Sequence, residues 1–449
     1  MNTIWPDIWQ FMILHWRGLL GWVWLIAGIA LAIYITLQRR SPASTLAWIL
    51  ALLLISPMGL VIYRFFGPQK VQRQSMRRLR SRRRFQARYG GIYRQFVKNF
   101  APLQWAMQHS RLIETSCGIP LSSCQSVQLL NGGGATLHAL LQQIGQAQQH
   151  VHLEYYIYEP DQSGTLLMDA LIAALQRGVT VRLLVDGVGS FAFLRRKGRH
   201  LRARFAQAGG QLAVFHPTHL GGMARPMLNL RTHRKIVVCD GVVGFTGGIN
   251  ITDAENEQLF PGHAYRDTHL RLQGAAVQWL QYVFLEDWAY ASGQHEFEPG
   301  VFVEQMAPGP YPVHVTVSGP DSDGQAIHHS MLHAINSARQ RILLTTPYFV
   351  PTEPAWYALL NAVLRGVQVR LLVPRRSDSF WVTMAARSYF DALCQAGVEV
   401  YEYAGPLLHA KTLVVDDQYG MVGSANFDNR SFLLNFETNV VVYSATFNQ

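Results

Sequence analysis

The sequence predicts an α/β protein made of two copies of one unit, preceded by a hairpin of two apolar segments. Three observations carry that prediction: two long uncharged runs near the start, a strand–helix–strand–helix–strand pattern that occurs twice after residue 110, and one polar motif that closes each copy at the same spacing. Each copy is expected to form an α/β/α layer in which helices cover both faces of parallel strands. The two copies are expected to pack about a pseudo-twofold axis.

The 449-residue chain has a formal charge of +11, which favours anionic partners such as nucleic acid, phospholipid headgroups or phosphate esters. The distribution of charge narrows that choice. Between Asp7 and Glu114 there is no acidic residue, and the interval holds two runs, GLLGWVWLIAGIALAIYITL (18–37) and TLAWILALLLISPMGLVIY (45–63). Each reaches the roughly 20 residues that cross a bilayer. Residues 1–67 therefore read as a transmembrane hairpin, with Pro57 kinking the second span and Trp22, Trp24, Trp48 and Tyr63 near the interfaces. A buried soluble hairpin is the alternative. A cleaved signal peptide fits poorly, because a second run follows at once.

Residues 68–110 include QKVQRQSMRRLRSRRRFQAR, rich in Arg and free of acid, and read as a basic juxtamembrane linker. The positive-inside rule puts this segment and all that follows in the cytoplasm, Arg39 and Arg40 being outnumbered. The run is either a solvated linker or a clamp on anionic headgroups, at about 1 kcal/mol per cation near the surface. Cys117, Cys124, Cys239 and Cys394 are scattered and read as small apolar residues of a reducing compartment. No HExxH or paired CxxC occurs, so no metal is expected.

The repeat then runs element by element. VHLEYYIYEP (151–160) matches RILLTTPYFVP (341–351) as a β-rich run after a helical pattern. LMDALIAALQRGVTVRLLVD matches YALLNAVLRGVQVRLLVP: apolar residues at helical spacing, a Gly stop, then a buried strand. FAQAGGQLAVFHP matches LCQAGVEVYEYAGP as a helix, turn and strand. These place the first unit at 111–300 and the second at 301–449, with the join in the Pro- and Gly-containing stretch 298–309.

Each copy closes on the motif, THRKIVVCDGVVGFTGGIN (232–250) in the first and LHAKTLVVDDQYGMVGSAN (408–426) in the second. His233 and Lys235 share one side of an extended strand, as do His409 and Lys411. Gly247 and Gly423 permit close backbone approach, and Asn250 and Asn426 supply neutral donors. One HxK is usually a surface pair. Two copies that stay in step while their surroundings diverge point to function. Two imidazoles and two ammoniums on one cleft suit a phosphodiester: cations and amides hold the nonbridging oxygens, one neutral imidazole attacks phosphorus, and the other, protonated, serves the leaving oxygen. A covalent phosphohistidine and a second displacement follow, with no metal or other cofactor. Asp267 and Glu437, each following the motif of its own half, are candidates to orient the imidazoles or are ordinary strand-end carboxylates. Asp240 and Asp416 end the apolar runs and read either as part of the catalytic set or as anchors that hold the loop.

HRKIVVCDG with TGGIN and HAKTLVVDD with GSANFDNRSF resemble the two HKD motifs of the phospholipase D superfamily. HLEYYIY, YRDTHLRLQGAAV, FLEDW, TPYFVP, LNFETNVVVY and the N-terminal hairpin narrow the resemblance to its bacterial cardiolipin synthases. It covers nearly the whole chain and implies two packed phospholipase D-like α/β/α subdomains. It also implies transfer of a phosphatidyl group between two phosphatidylglycerol molecules, giving cardiolipin and glycerol. His233, Lys235 and Asp240 match one motif, and His409, Lys411 and Asp416 the other. Superfamily precedent makes His233 the nucleophile and His409 the acid/base, the reverse remaining open, with Asn250, Ser424 and Asn426 as substrate-binding residues. The implied setting is the bacterial inner membrane, with the catalytic part facing the cytoplasm, anionic lipid as partner and no nucleic acid. The rivals are a hydrolase that admits water to the same site and a membrane-tethered nuclease. Two departures stand out: Asp417 occupies a position where the family pattern has Gly, and the resemblance implies a further helical stretch after SATFNQ.

Overall fold

The computed structural model describes residues 16, 18, 21–22, 26–37, 42–54, 69–96, 103–217, 230–303, 307–321 and 325–449. The chain divides into two units, Met1–Gln74 and Ser75–Gln449. In the first, residues 26–36 and Pro42–Leu54 are helical. Ile35 and Leu52 are buried there, with Leu31, Trp48 and Ile49 around them. Among the described residues no helix is long and apolar enough to cross a membrane, and 19–20, 23–25 and 55–63 of the two expected spans lie outside them.

The second unit contains two sheets. The first copy supplies β2 (Ser126–Asn131), β3 (His150–Tyr155), β4 (Thr180–Asp186), β5 (Gln211–Phe215), β6 (Ile236–Cys239), β7 (Val243–Gly247) and β8 (Thr268–Gln273), in the spatial order β2-β8-β7-β6-β3-β4-β5. The second supplies β9 (Tyr311–Ser318), β10 (Arg341–Thr345), β11 (Gln368–Pro374), β12 (Glu399–Tyr403), β13 (Thr412–Val415), β14 (Tyr419–Gly423) and β15 (Glu437–Val442). Their order, β9-β15-β14-β13-β10-β11-β12, reproduces the first copy position for position. One extra edge strand, β1 (Ser122–Cys124), pairs antiparallel with β9. That strand and helix Met107–Cys117, whose His109 ring bonds Ser330 Oγ at 2.9 Å and Tyr443 Oη at 2.9 Å, belong with the second sheet although they precede the first. Residues 111–124, expected in the first unit, thus pack on the second.

The strands joined by helices are parallel as expected, and antiparallel strands beyond them make each sheet mixed. β3–β4–β5 and β10–β11–β12 are parallel, joined by helices such as Gln162–Gln176 and Glu353–Leu364, whereas β6, β7 and β8 and their counterparts run antiparallel. The reason is local. Between β6 and β7 the chain reverses through Asp240 and Gly241, at φ 53° and 66°, and between β13 and β14 through Asp416 and Asp417, at 49° and 56°. Such mirror-image turns join antiparallel neighbours, whereas a parallel pair needs a crossover of a dozen residues or more. Asp417 holds the left-handed position that suits Gly and forms an ion pair with Arg341.

Both faces of the central strands are covered. Val151 and Leu153 turn toward Leu140 and Ile144 of helix Gly133–Gln146 and Leu167 and Leu171 of helix Gln162–Gln176. His152, on the opposite face, stacks on Phe284 and is bonded by Gln281 at 2.8 Å, both from helix Val277–Ser292.

The basic segment is also corrected. Rather than a solvated linker, Gln69–Phe96 is a helix, and one of its faces carries Arg78, Arg82, Phe85 and Tyr89 inward. Arg78 is buried against Asp287 and, at 2.8 Å, Asp321; Asp287 also holds Arg234, next to His233. A buried guanidinium persists only when paired in this way. Arg77, Arg80, Arg83 and Arg84 remain exposed on other faces.

Candidate active site

The two copies meet where their motifs begin. Thr232 bridges to Phe436 and Arg266 to Leu408, each as an isolated parallel β-bridge across the halves. His233 N donates to Phe436 O at 2.9 Å, and His409 N to Arg266 O at 2.7 Å. Each histidine is therefore fixed by its backbone to the opposite half.

The side chains cross in the same way. His233 Nδ1 lies 3.0 Å from Glu437 Oε2, and His409 Nδ1 lies 2.7 Å from Asp267 Oδ2. The orienting carboxylates expected within the same half are thus exchanged. Holding Nδ1 on a carboxylate leaves Nε2 as the nitrogen available for chemistry, and the ring side chains keep 11% and 12% of their surface open. Lys235 Nζ donates to His233 O at 2.7 Å, and Lys411 Nζ donates to Asp267 Oδ2 at 3.1 Å. Tyr156 packs edge-on to His233 with ring centres 5.0 Å apart, and Tyr348, shortly after β10, lies edge-on to His409 at 6.4 Å.

The glycine and serine of the motif make room for these carboxylates. A Cβ on Gly248 would fall 2.2 Å from Asp267 Oδ1. At the equivalent position of the second copy, Ser424 Oγ donates to Glu437 Oε2 at 2.5 Å and Ser424 O lies 3.0 Å from His233 Nδ1. The Ser424 hydroxyl is spent on that carboxylate. Asn250 Nδ2 donates to Glu255 Oε1 at 2.8 Å, while Asn426 N donates to Ser431 Oγ at 3.1 Å.

Asp240 and Asp416 do not join this cluster. Asp240 accepts from the backbone N–H groups of Gln148, Gln149 and His150 at 2.8, 2.8 and 2.9 Å; Asp416 accepts from those of Arg339, Gln340 and Arg341 at 2.6, 2.8 and 2.8 Å. They clamp the hairpin turn to the start of β3 and of β10. Their geometry is that of the anchor reading.

Burial and neighbouring charge separate the protonation states. Burial pushes the His233 imidazole down to about 4, against the pull of Glu437. Burial, then Lys411, bring Lys235 down to about 7. Burial also pushes both carboxyls up, but His233 and Lys235 around Glu437, and Lys411 and His409 around Asp267, outweigh it and hold them below the usual range. The resting site holds two carboxylates and a neutral His233. Since attack needs His233 neutral and charge neutralisation needs Lys235 cationic, kcat/KM is expected to fall on the acid side near pH 4 and on the basic side near pH 7. A profile flat from ~6 to ~9 would remove the Lys235 proton from the mechanism.

Glu255, which sequence reasoning missed, lies buried beside Asp267 and His409, their ligand atoms within 4.8 Å of one another. Lys411 Nζ, 3.1 Å from Asp267 Oδ2 and 2.8 Å from His409 Nδ1, supplies a cation inside that cluster. The available signal was alignment: five residues past the motif Asn stand Glu255 in one copy and Ser431 in the other.

The family model described as "Cardiolipin synthase, PLD-like domain" matches residues 140–288 and 331–449, and one described as "Phospholipase D-nuclease N-terminal" matches 22–68. The chain is 35% identical over 457 residues to cardiolipin synthase 1 of Bacillus anthracis, covering 99% of this chain and 87% of that one. It is 36% identical over 443 residues to the major cardiolipin synthase of Bacillus subtilis (strain 168), covering 94% and 89%. Phosphatidylserine synthase of Haemophilus influenzae Rd KW20 shares the fold, with a TM-score of 0.55 at 13% identity over 75% of this chain and 87% of that structure.

Proposed function

The chain belongs to the cardiolipin synthases of the phospholipase D superfamily, whose activity is phosphatidyl transfer, and we propose that it joins two phosphatidylglycerol molecules through a phosphohistidine on His233. The observation that supports this route most is the crossed pairing, in which each motif histidine is held by a carboxylate of the other half. Nε2 of neutral His233 attacks phosphorus while Nε2–H of His409 gives its proton to the departing glycerol oxygen. The hydroxyl of a second phosphatidylglycerol then loses its proton to His409, attacks the phosphohistidine, and releases His233. Lys235, Lys411, Asn250 and Asn426 stabilise the nonbridging oxygens as charge builds on them. Ser424 holds Glu437, and Asp240 and Asp416 set the position of the strands that carry the motifs.

We place residues 1–67 in the bacterial inner membrane as a two-span hairpin with the catalytic unit facing the cytoplasm. The apolar runs, the basic residues that follow and the N-terminal family match to 22–68 support this. Labelled phosphatidylglycerol supplied as the sole lipid should yield cardiolipin and glycerol in equal amounts. Phosphatidic acid as the main product would replace the transfer reading by hydrolysis.

A further inference from the structure

After β4 and β11, the two copies carry equivalent segments that the chemistry above does not use. Helix Phe380–Arg387 has no buried residue, and Phe380, Trp381 and Met384 on it are 68%, 79% and 48% exposed. Exposed Arg375 and Arg376 lead into it. In the first copy, Phe191 is 50% exposed with Arg195 across its ring at 4.9 Å, and exposed Arg196 and Lys197 follow.

Both segments are tied to the walls of the active site. Tyr348, which lies edge-on to His409, donates its hydroxyl to Asp378 at 2.9 Å, two residues before Phe380. Ser190, directly before Phe191, donates to the carbonyl of Tyr156 at 2.9 Å, and Tyr156 packs on His233. Each copy thus puts an apolar tip flanked by cations at the rim of the shared site.

We propose that these two tips seat the rim of the site on an anionic lipid bilayer, Phe380, Trp381 and Phe191 entering the interface and Arg375, Arg376 and the 195–197 cations meeting headgroup phosphates. Aromatic side chains prefer the bilayer interface, and basic residues around an apolar face add attraction to anionic lipid. A second copy of the chain fits less well, because a twofold contact would set one cation-rimmed patch against another. The proposal rests on the phosphatidyl-transfer reading for its purpose: a lipid acceptor and donor would reach the histidines without leaving the interface.

The test uses the full chain with Trp381→Cys in a Cys394→Ser background, since Cys117, Cys124 and Cys239 are buried. An environment-sensitive dye on residue 381 should shift to the blue in phosphatidylglycerol-containing bilayers and be quenched by spin labels placed shallowly on the acyl chains. In parallel, Phe380→Ser with Trp381→Ser should lower kcat/KM on bilayer phosphatidylglycerol about tenfold while leaving turnover of a dispersed short-chain analogue unchanged. A dye left unquenched overturns the proposal, as does a dye shielded only in a form of doubled mass, which would make the patch a contact between copies. Quenching is read without turnover. A wild-type chain that fails to convert the short-chain analogue would instead overturn the reading of the site.

Discussion

Replacing His233 with alanine is expected to lower turnover of phosphatidylglycerol by about 10⁵-fold or more, since no other group on the cleft takes over a covalent step. His409→Ala should lose about 10²- to 10⁴-fold, the usual weight of general acid–base help. The two variants are separable by leaving group. With a nitrophenyl ester of phosphatidic acid the departing oxygen needs no proton, so His409→Ala should still give a burst of nitrophenol and then stall. The stalled enzyme should carry the phosphatidyl group on residue 233, visible as a mass increase of that peptide. His233→Ala should give no burst. The opposite pattern would exchange the two roles, and near-normal turnover by either variant would remove the shared site altogether.

The motif spacing was legible because His and Lys two apart on a strand share a side whatever the rest of the fold does, and the repeat made the signal stand out. The duplication likewise foretold two sheets of one strand order. Strand direction was harder. The helix–strand alternation up to β5 reads as parallel, while Asp240-Gly241, a hairpin signal between apolar runs, reads as a loop whose aspartate is catalytic or an anchor, without setting the direction of the strand that follows. One short dipeptide thus served both as a motif member and as the point where the sheet changes direction. The crossing of carboxylates leaves no local trace at all: His409 and Asp267 are 142 residues apart, and His233 and Glu437 are 204 apart. The burial of Arg78 was masked by its composition, because a run of arginines reads as solvated unless the 78-82-85-89 face is set against buried Asp287 and Asp321.

The crossed pairing yields the sharpest test. Glu437→Gln keeps the size of the side chain but can offer an N–H to His233 Nδ1, favouring the tautomer whose proton sits on Nε2 and removing the lone pair that attacks. A loss of about 10²- to 10⁴-fold in kcat is expected, as for a carboxylate that sets the tautomer of a catalytic histidine, with KM little changed. It should appear in formation of the phosphohistidine even with the nitrophenyl ester. Nitrogen NMR of the His233 ring should show the proton moving from Nδ1 to Nε2, a readout that mere loosening of the fold would not give. Asp267→Asn should act on the other step: it takes away the carboxylate that orients the His409 ring and the ion partner of Lys411, so its loss on phosphatidylglycerol should be largely recovered with the nitrophenyl ester. A carboxylate from the second half would then govern the histidine of the first, and the reverse. If Asp267→Asn instead blocked the burst and Glu437→Gln spared it, the pairing would run within each half and the interlocked geometry would be wrong.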